Sequence, residues 1–414
     1  MSGPSPQPSR RELLHGLRSA AMLGAIPLLP SLSPGSTRTG SSPRNRLLVC
    51  VFLRGGIDGL NLIVPHADKE YYRLRPGIAI PRPSRKGGAS LDLDGFFGLH
   101  PRAKPLHAHF KAGTAVAIEG VGHGKNTRSH FKEQDLWETA IPDNDSTSDG
   151  WLNRHLAAVD GAGPLRAVAL SNSMPRLLRG TVPALAIRGL GDVGGRGRDT
   201  NEAMRLALEA GGKQTNELWA ANARETLELL DELRAVEAHK IPTRVDYPDS
   251  YLATRLKEVG RLYRAGVGLE VAVVDYGGWD THQNQGGSEG AYATRVGELC
   301  SGIDAFLRDF DDQLDEICVL TLSEFGRTAK ENGTGGTDHG WGNVGLAFGG
   351  MLAASRPVIG EWPGLDPEEL NKRRDLRITT DFRDVIGEVL AKHLANPDPA
   401  RLLGRAELRP VGLV

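Results

Sequence analysis

Short apolar runs that stop abruptly at glycine-rich segments constrain this chain most. LEVAVVDYG (Leu269–Gly277) gives way to GGWDTHQNQ (Gly277–Gln285). EICVLTL (Glu316–Leu322) gives way to SEFGRT (Ser323–Thr328), with GTDHGWGN (Gly336–Asn343) a little further on. An unbroken apolar run is how a strand buried on both faces reads, and the glycines mark where it leaves the sheet. The segments beyond these runs gather Asp280, His282, Glu324, Asp338 and His339. Carboxylates and imidazoles just past strand ends are the donor set of a metal site in an α/β protein.

The same pattern recurs. LLVCVFL (Leu47–Leu53) precedes RGGIDGLN (Arg54–Asn61), which carries Asp58. TAVAIEGVG (Thr114–Gly122) leads into HGKNTRSHF, and RAVALSN (Arg166–Asn172) is followed by PALAIRGL (Pro183–Leu190). Between the runs lie helical patterns. Residues 200–265 read as helical, with Leu252, Leu256, Val259 and Tyr263 on one stripe. Tyr292, Val296, Leu299, Ile303, Phe306 and Phe310 make a cleaner stripe. VGLAFGG (Val344–Gly350) is a further apolar segment, and a last helix is expected near Asp381–Leu394. Strand and helix in alternation predict an α/β fold, a three-layer αβα sandwich with a mainly parallel central sheet. Arg82–Gly88 and Gly194–Thr200 read as surface loops. With no internal repeat and no long linker, residues 46–414 are expected to form one domain with insertions.

Lys plus Arg is 50 and Asp plus Glu is 51. That balance excludes a general nucleic-acid binder but not a local anion pocket. The three cysteines, Cys50, Cys300 and Cys318, sit in apolar surroundings and read as buried small hydrophobes rather than as a disulfide framework or a zinc motif.

Residues 1–45 read as an address. SRRELL (residues 9–14) precedes a charge-free stretch from Ser19 to Thr37. A basic start followed by a short apolar stretch is a signal peptide, and the stretch is too short and proline-broken to span a membrane. The arginine pair resembles a twin-arginine export signal, with Leu13 and His15 departing from that pattern.

Each candidate site residue also has a plainer reading. Asp280 and His282 converge on one ion only if Gly277 and Gly278 bend the backbone; otherwise Asp280 caps a helix and His282 is hydrogen-bonded. Glu324 stands at the carboxyl edge of the sheet, yet Arg327 is close enough to pair with it. Asp338 lies in a Gly-rich turn, where aspartate is common without metal. Ser129 or Thr127 is either a nucleophile at a helix N-terminus or an ordinary N-cap. His100, His123 and His130 are supporting or structural histidines.

LRGGIDGLN, YYRLRPGIAI, GFFGLHP, RSHF, DGWLNRHL, WDTHQNQ, SEFGRT, GTDHGWG and TTDFRDV, spread over nearly all of residues 46–395, resemble the domain of unknown function 1501 family. That family is remotely similar to the alkaline phosphatase-like superfamily of sulfatases, phosphomutases and phosphodiesterases. The resemblance implies an alkaline phosphatase-like sheet between helical layers and one or two divalent ions (zinc, magnesium, manganese or calcium). It makes Asp58 the first metal carboxylate and Ser129 the nucleophile. Asp280 and His282 become one metal's pair, Glu324 the carboxylate of the other, and His339 a late ligand. In a rival alignment Asp338 and His339 form the second Asp–His pair. Arg54, Arg128 or Arg327 is expected to clamp the anion. The sulfatase Cys/Ser-x-Pro-x-Arg signature surrounds none of the cysteines, nor Ser129.

The expected function is an exported, periplasmic or extracellular, metal-dependent hydrolase of phosphate or sulfate esters, using a metal-activated serine. Its partners are an anionic small-molecule or glycan ester and the twin-arginine export machinery, with no nucleic acid and no membrane span in the mature chain. The alternative is a non-catalytic exported binding or scaffold protein that keeps the fold. No dinucleotide fingerprint or cysteine cluster supports an oxidoreductase.

Overall fold

The apolar run after Arg46 forms the central strand, Leu47–Arg54 (β1), buried along its whole length except at Arg54. The computed structural model describes residues 46–141, 147–161, 163, 165–191, 210, 217–239 and 241–414. The expected signal segment and the Gly194–Thr200 loop lie outside the described residues.

Among the described residues, β1 belongs to a sheet of nine strands. Its other strands, in chain order, are Ala115–Gly122 (β2), Ala167–Leu170 (β3), Leu185–Ile187 (β4), Val271–Gly277 (β5), Ile317–Leu322 (β6), Asn343–Phe348 (β7), Val358–Ile359 (β8) and Thr380–Asp381 (β9). The spatial order is β8-β2-β7-β6-β1-β5-β3-β4, and β9 also pairs with β2. β1 is parallel to both β5 and β6, and β3 is parallel to β4 and β5. β7 runs antiparallel to β6 and β2, so it is reversed against the rest of the sheet.

Both faces of β1 are buried, which is why its sequence shows no alternation. Leu47, Val49, Val51 and Leu53 face one core, under helices Tyr251–Arg264 (α4) and Ala291–Asp309 (α5). Leu48, Cys50 and Phe52 face the other, with Trp137 of His130–Thr139 (α1), Trp151 of Trp151–Ala158 (α2), and Phe382 and Val389 of Phe382–Lys392 (α6). The result is the expected three-layer α/β arrangement. The stripe from Tyr292 to Phe310 is fully buried. The region read as helical before residue 265 contains Glu217–His239 (α3) and α4, separated by irregular chain at 241–250.

A small antiparallel sheet of Ile63–Val64, Gly98–Leu99 and Leu91–Asp92 is inserted after β1. Its strands are two residues each, too short to announce themselves by pattern. All three cysteines are buried and free. Among the described residues, no helix is long and apolar enough to cross a membrane.

Candidate metal centre

Four loops meet at one end of the sheet. Three leave the carboxyl ends of parallel strands: Gly55–Asp58 after β1, Gly278–His282 after β5 and Ser323–Arg327 after β6. A fourth, after β2, turns at Asn126–Ser129 into α1. Asp338 and His339 precede β7, but β7 is reversed, so its beginning lies at this same edge. Close backbone approach sets the glycines here. Gly55 has φ +118°, and a Cβ on it would lie 2.6 Å from the Asp280 amide nitrogen. At Gly336 a Cβ would lie 2.4 Å from the His282 carbonyl.

Three histidines are held in the same manner. His130 Nδ1 lies 2.8 Å from Glu324 Oε1. His282 Nδ1 lies 3.1 Å from Asp338 Oδ1, and His339 Nδ1 lies 2.9 Å from the Arg128 carbonyl. Each partner is an acceptor, so each ring carries its proton on Nδ1 and presents the lone pair of Nε2. Those lone pairs converge on Asp280. His282 Nε2 and His339 Nε2 are 3.0 Å apart, and they stand 3.0 and 3.2 Å from Asp280 Oδ1. His130 Nε2 is 3.5 Å from Asp280 Oδ2, is screened from solvent, and has no hydrogen-bond partner.

Such a convergence of acceptors is repulsive on its own. It is what tetrahedral ligation requires, because donors about 2.1 Å from an ion are about 3.4 Å from one another. Nδ1 hydrogen-bonded to a carboxylate or carbonyl is also the usual support of a metal-binding imidazole. His130, Asp280 and His339 each offer a donor atom within 4.8 Å of the other two, a set that fits a divalent cation, and His282 adjoins it through His339 and Asp280.

Arg327 is the knot of the site. It is buried, and it donates to Gly56 O at 2.6 Å, Thr337 O at 3.0 Å and Trp279 O at 2.9 Å. It also bonds Gly55 O, and reaches Asp280 Oδ1 at 2.7 Å. One guanidinium thus ties three loops together. Partial burial alone raises the Asp280 carboxyl, but the hydrogen bond and charge of Arg327 outweigh it, and Asp280 is held down to about 2. Glu324 is pushed up by burial, yet His130, Gln134 and the Gly55 amide bring it below the ordinary range. The hydrogen bond to Glu324 lifts His130, whereas burial lowers His339.

Several expected residues take other places. Asp58, expected as the first metal carboxylate, is fully buried and pairs with Arg75 Nη1 at 2.6 Å and Gln285 Nε2 at 2.5 Å. Glu324 and Asp338, expected as ligands, stand behind His130 and His282 as orienting acceptors. Glu324 Oε1 also accepts from Gln134 Nε2 at 2.9 Å and the Gly55 amide at 2.8 Å. Arg327 is committed to loop carbonyls and Asp280 rather than to an anion. The Arg128 guanidinium is paired with buried Asp375. Arg54 is bound by Asp275 and Glu138. Ser129 is the N-cap of α1, and its side chain makes no capping bond. His130, read as supporting or structural, is the candidate ligand that sequence reasoning missed. The available signal was its place directly after Ser129, in the segment that follows the β2 run.

Fold and site together define an α/β protein with a histidine–carboxylate centre at the edge of a mainly parallel sheet. Residues 115–404 match the family described as Protein of unknown function (DUF1501), and the chain belongs to that family. No curated protein matches it. Three solved structures are similar. The C-terminal periplasmic domain of EcEptC from Escherichia coli, in complex with Zn, is 11% identical with a TM-score of 0.37, over 78% of this chain and 77% of that one. PsFucS1 sulfatase from Pseudoalteromonas sp. is 10% identical with a TM-score of 0.33, over 96% and 72%. The integral membrane lipooligosaccharide phosphoethanolamine transferase A (EptA) from Neisseria meningitidis is 12% identical with a TM-score of 0.32, over 78% and 50%.

Proposed function

We propose that this protein is an exported metal-dependent hydrolase of phosphate or sulfate esters, with one divalent ion held by His130, Asp280, His282 and His339. The observation that carries the reading is the convergence of three Nε2 lone pairs on one carboxylate, each ring fixed through Nδ1. A divalent ion in such a setting activates an oxygen nucleophile and neutralises charge on the ester oxygens.

The chain's own groups supply the rest. Arg327 keeps Asp280 ionised and in place. Ser129, one residue before His130 and not used as a cap, is the proposed nucleophile. The first-turn amides of α1, which the helix ladder does not use, favour an anionic ester group there. Asp280 and His282 are the open side of the centre, with side chains 45% and 39% exposed, so a substrate approaches from that side. Export rests on the SRRELL segment and the apolar stretch after it.

A second reading, a metal-binding protein without turnover, is favoured by one observation. Arg54, Arg128 and Arg327 all have carboxylate partners, which leaves none of the expected anion clamps unpaired. Elemental analysis after purification, with a chromogenic ester panel, tests both. The expected result is about one equivalent of metal per chain, lost in Asp280→Asn, and ester turnover lost in Ser129→Ala with metal retained. Wild-type protein that takes up no zinc, manganese, magnesium or calcium overturns the metal centre. Full metal with no ester cleaved selects the second reading.

A further inference from the structure

Beside the metal centre lies a groove of about 690 Å³, running past Gly124 and Trp341 toward Arg405 and Arg409. That volume is within the range of small-molecule sites, roughly 300–1,000 Å³. The groove is tied to the centre by its own wall. Gly124 closely follows the end of β2, and Trp341 lies two residues beyond His339. The Arg128 guanidinium is 5.7 Å from the Trp341 ring centroid, while the Arg128 carbonyl holds His339.

The wall's chemistry specifies a kind of ligand. It carries the carboxylates of Glu361, Asp381 and Asp384 and the guanidiniums of Arg377, Arg405 and Arg409, with Arg405 paired to Asp381 at 2.7 Å and Asp384 accepting from the Arg409 amide at 3.0 Å. Three of each sign create no net field for a polyanion. Donors and acceptors at short spacing complement vicinal hydroxyls, each of which both donates and accepts. An indole offers a flat apolar surface to ring C–H groups.

We propose that this groove binds the neutral sugar or polyol portion of the substrate, next to the ester group at the metal centre. The placement of the ester rests on the hydrolase reading; recognition of the sugar by the groove does not.

Saturation-transfer NMR and calorimetry on the full chain test it. The probes are neutral tetrasaccharides built from glucose, N-acetylglucosamine, galactose or mannose, with inorganic sulfate as the charged control. At least one tetrasaccharide is expected to bind, and Trp341→Ala is expected to weaken it about tenfold or more. Gly124→Trp should do the same, because a Cβ at Gly124 meets nothing within 4 Å and the new side chain fills the groove rather than the core. Asp280→Asn should lose metal but keep tetrasaccharide affinity, so failure of the metal reading leaves the groove standing. Absence of saturation transfer to all four tetrasaccharides overturns the proposal. Affinity unchanged in both Trp341→Ala and Gly124→Trp overturns it as well.

Discussion

Removing the acceptor behind His130 is the sharpest perturbation of the centre. Glu324 Oε1 accepts from His130 Nδ1, the Gly55 amide and Gln134 Nε2, all within 2.9 Å. Glu324→Ala leaves the buried Gly55 amide and the half-buried His130 and Gln134 donors without this acceptor and frees the His130 ring to turn. Loss of a supporting carboxylate typically costs about 10–100-fold in metal affinity, or about 1.4–2.7 kcal/mol. Because this carboxylate is fully buried and its hydrogen bond fixes the ring's tautomer, the upper end, about 100-fold, is expected for alanine. Glu324→Gln keeps one acceptor oxygen but loses the charge, so about tenfold is expected. The glutamine amide replaces Oε2, which has no partner, and a buried unpaired donor costs about 1–3 kcal/mol of stability. Chelator-competition titration with zinc reads the affinity, and thermal melts of chelator-treated protein read the stability. The expected order of affinity is wild type, glutamine, alanine. A folded Glu324→Ala protein that binds metal within about threefold of wild type refutes the role of His130 as an oriented ligand.

Arg75→Met strands the buried Asp58 carboxylate and should cost about 3–5 kcal/mol, seen as a melting temperature lower by about 4–6 °C for a domain of this length. Asp58→Asn should keep its full metal equivalent, and loss of that equivalent would return Asp58 to the ligand set. Burial holds His100, His155 and His393 down to about 4, so from pH 6.5 toward 4 the unfolded chain takes up protons that the folded chain refuses. Stability therefore falls with acidification, by at most about 4 kcal/mol per pH unit from these three. Glu119, pushed by burial up to about 8, acts in the opposite sense, and its contribution is lost as pH rises from 4.5 to 8. Melts across pH 4–8 should show an optimum near pH 6.5, and Glu119→Gln should flatten the alkaline side. A wild-type optimum at pH 8 contradicts this.

The strands were legible because burial on both faces leaves an unbroken apolar run, as in LLVCVFL. Asp280, His282 and His339 were legible because glycines and ligand-type side chains coincide just past such runs. The partnerships were not. Arg75 and Asp58 are 17 residues apart and meet only because the chain between them folds back. The sequence shows Arg327 three residues from Glu324 and suggests an ion pair, but the guanidinium goes instead to the loop carbonyls of Gly55, Gly56, Trp279 and Thr337 and to Asp280. His130 looked structural because an imidazole in a helical pattern carries no sign of which edge of the sheet the helix starts from. The reversed direction of β7 was equally invisible, since a buried six-residue apolar run reads alike in either sense.

That reversal is what completes the centre. In an all-parallel sheet, residues just before a strand lie at its amino edge. Six residues at about 3.3 Å each would then carry Asp338 and His339 about 20 Å from the other loops. With β7 inverted, the same residues arrive at the carboxyl edge, between β2 and β6. Arg327 then ties the Thr337 carbonyl to those of Gly55, Gly56 and Trp279. The donors are thus set by strand ends and one buried guanidinium rather than by mobile loops. A cation entering such a centre has little chain to order, and its affinity is governed by the three Nδ1 contacts that aim the rings.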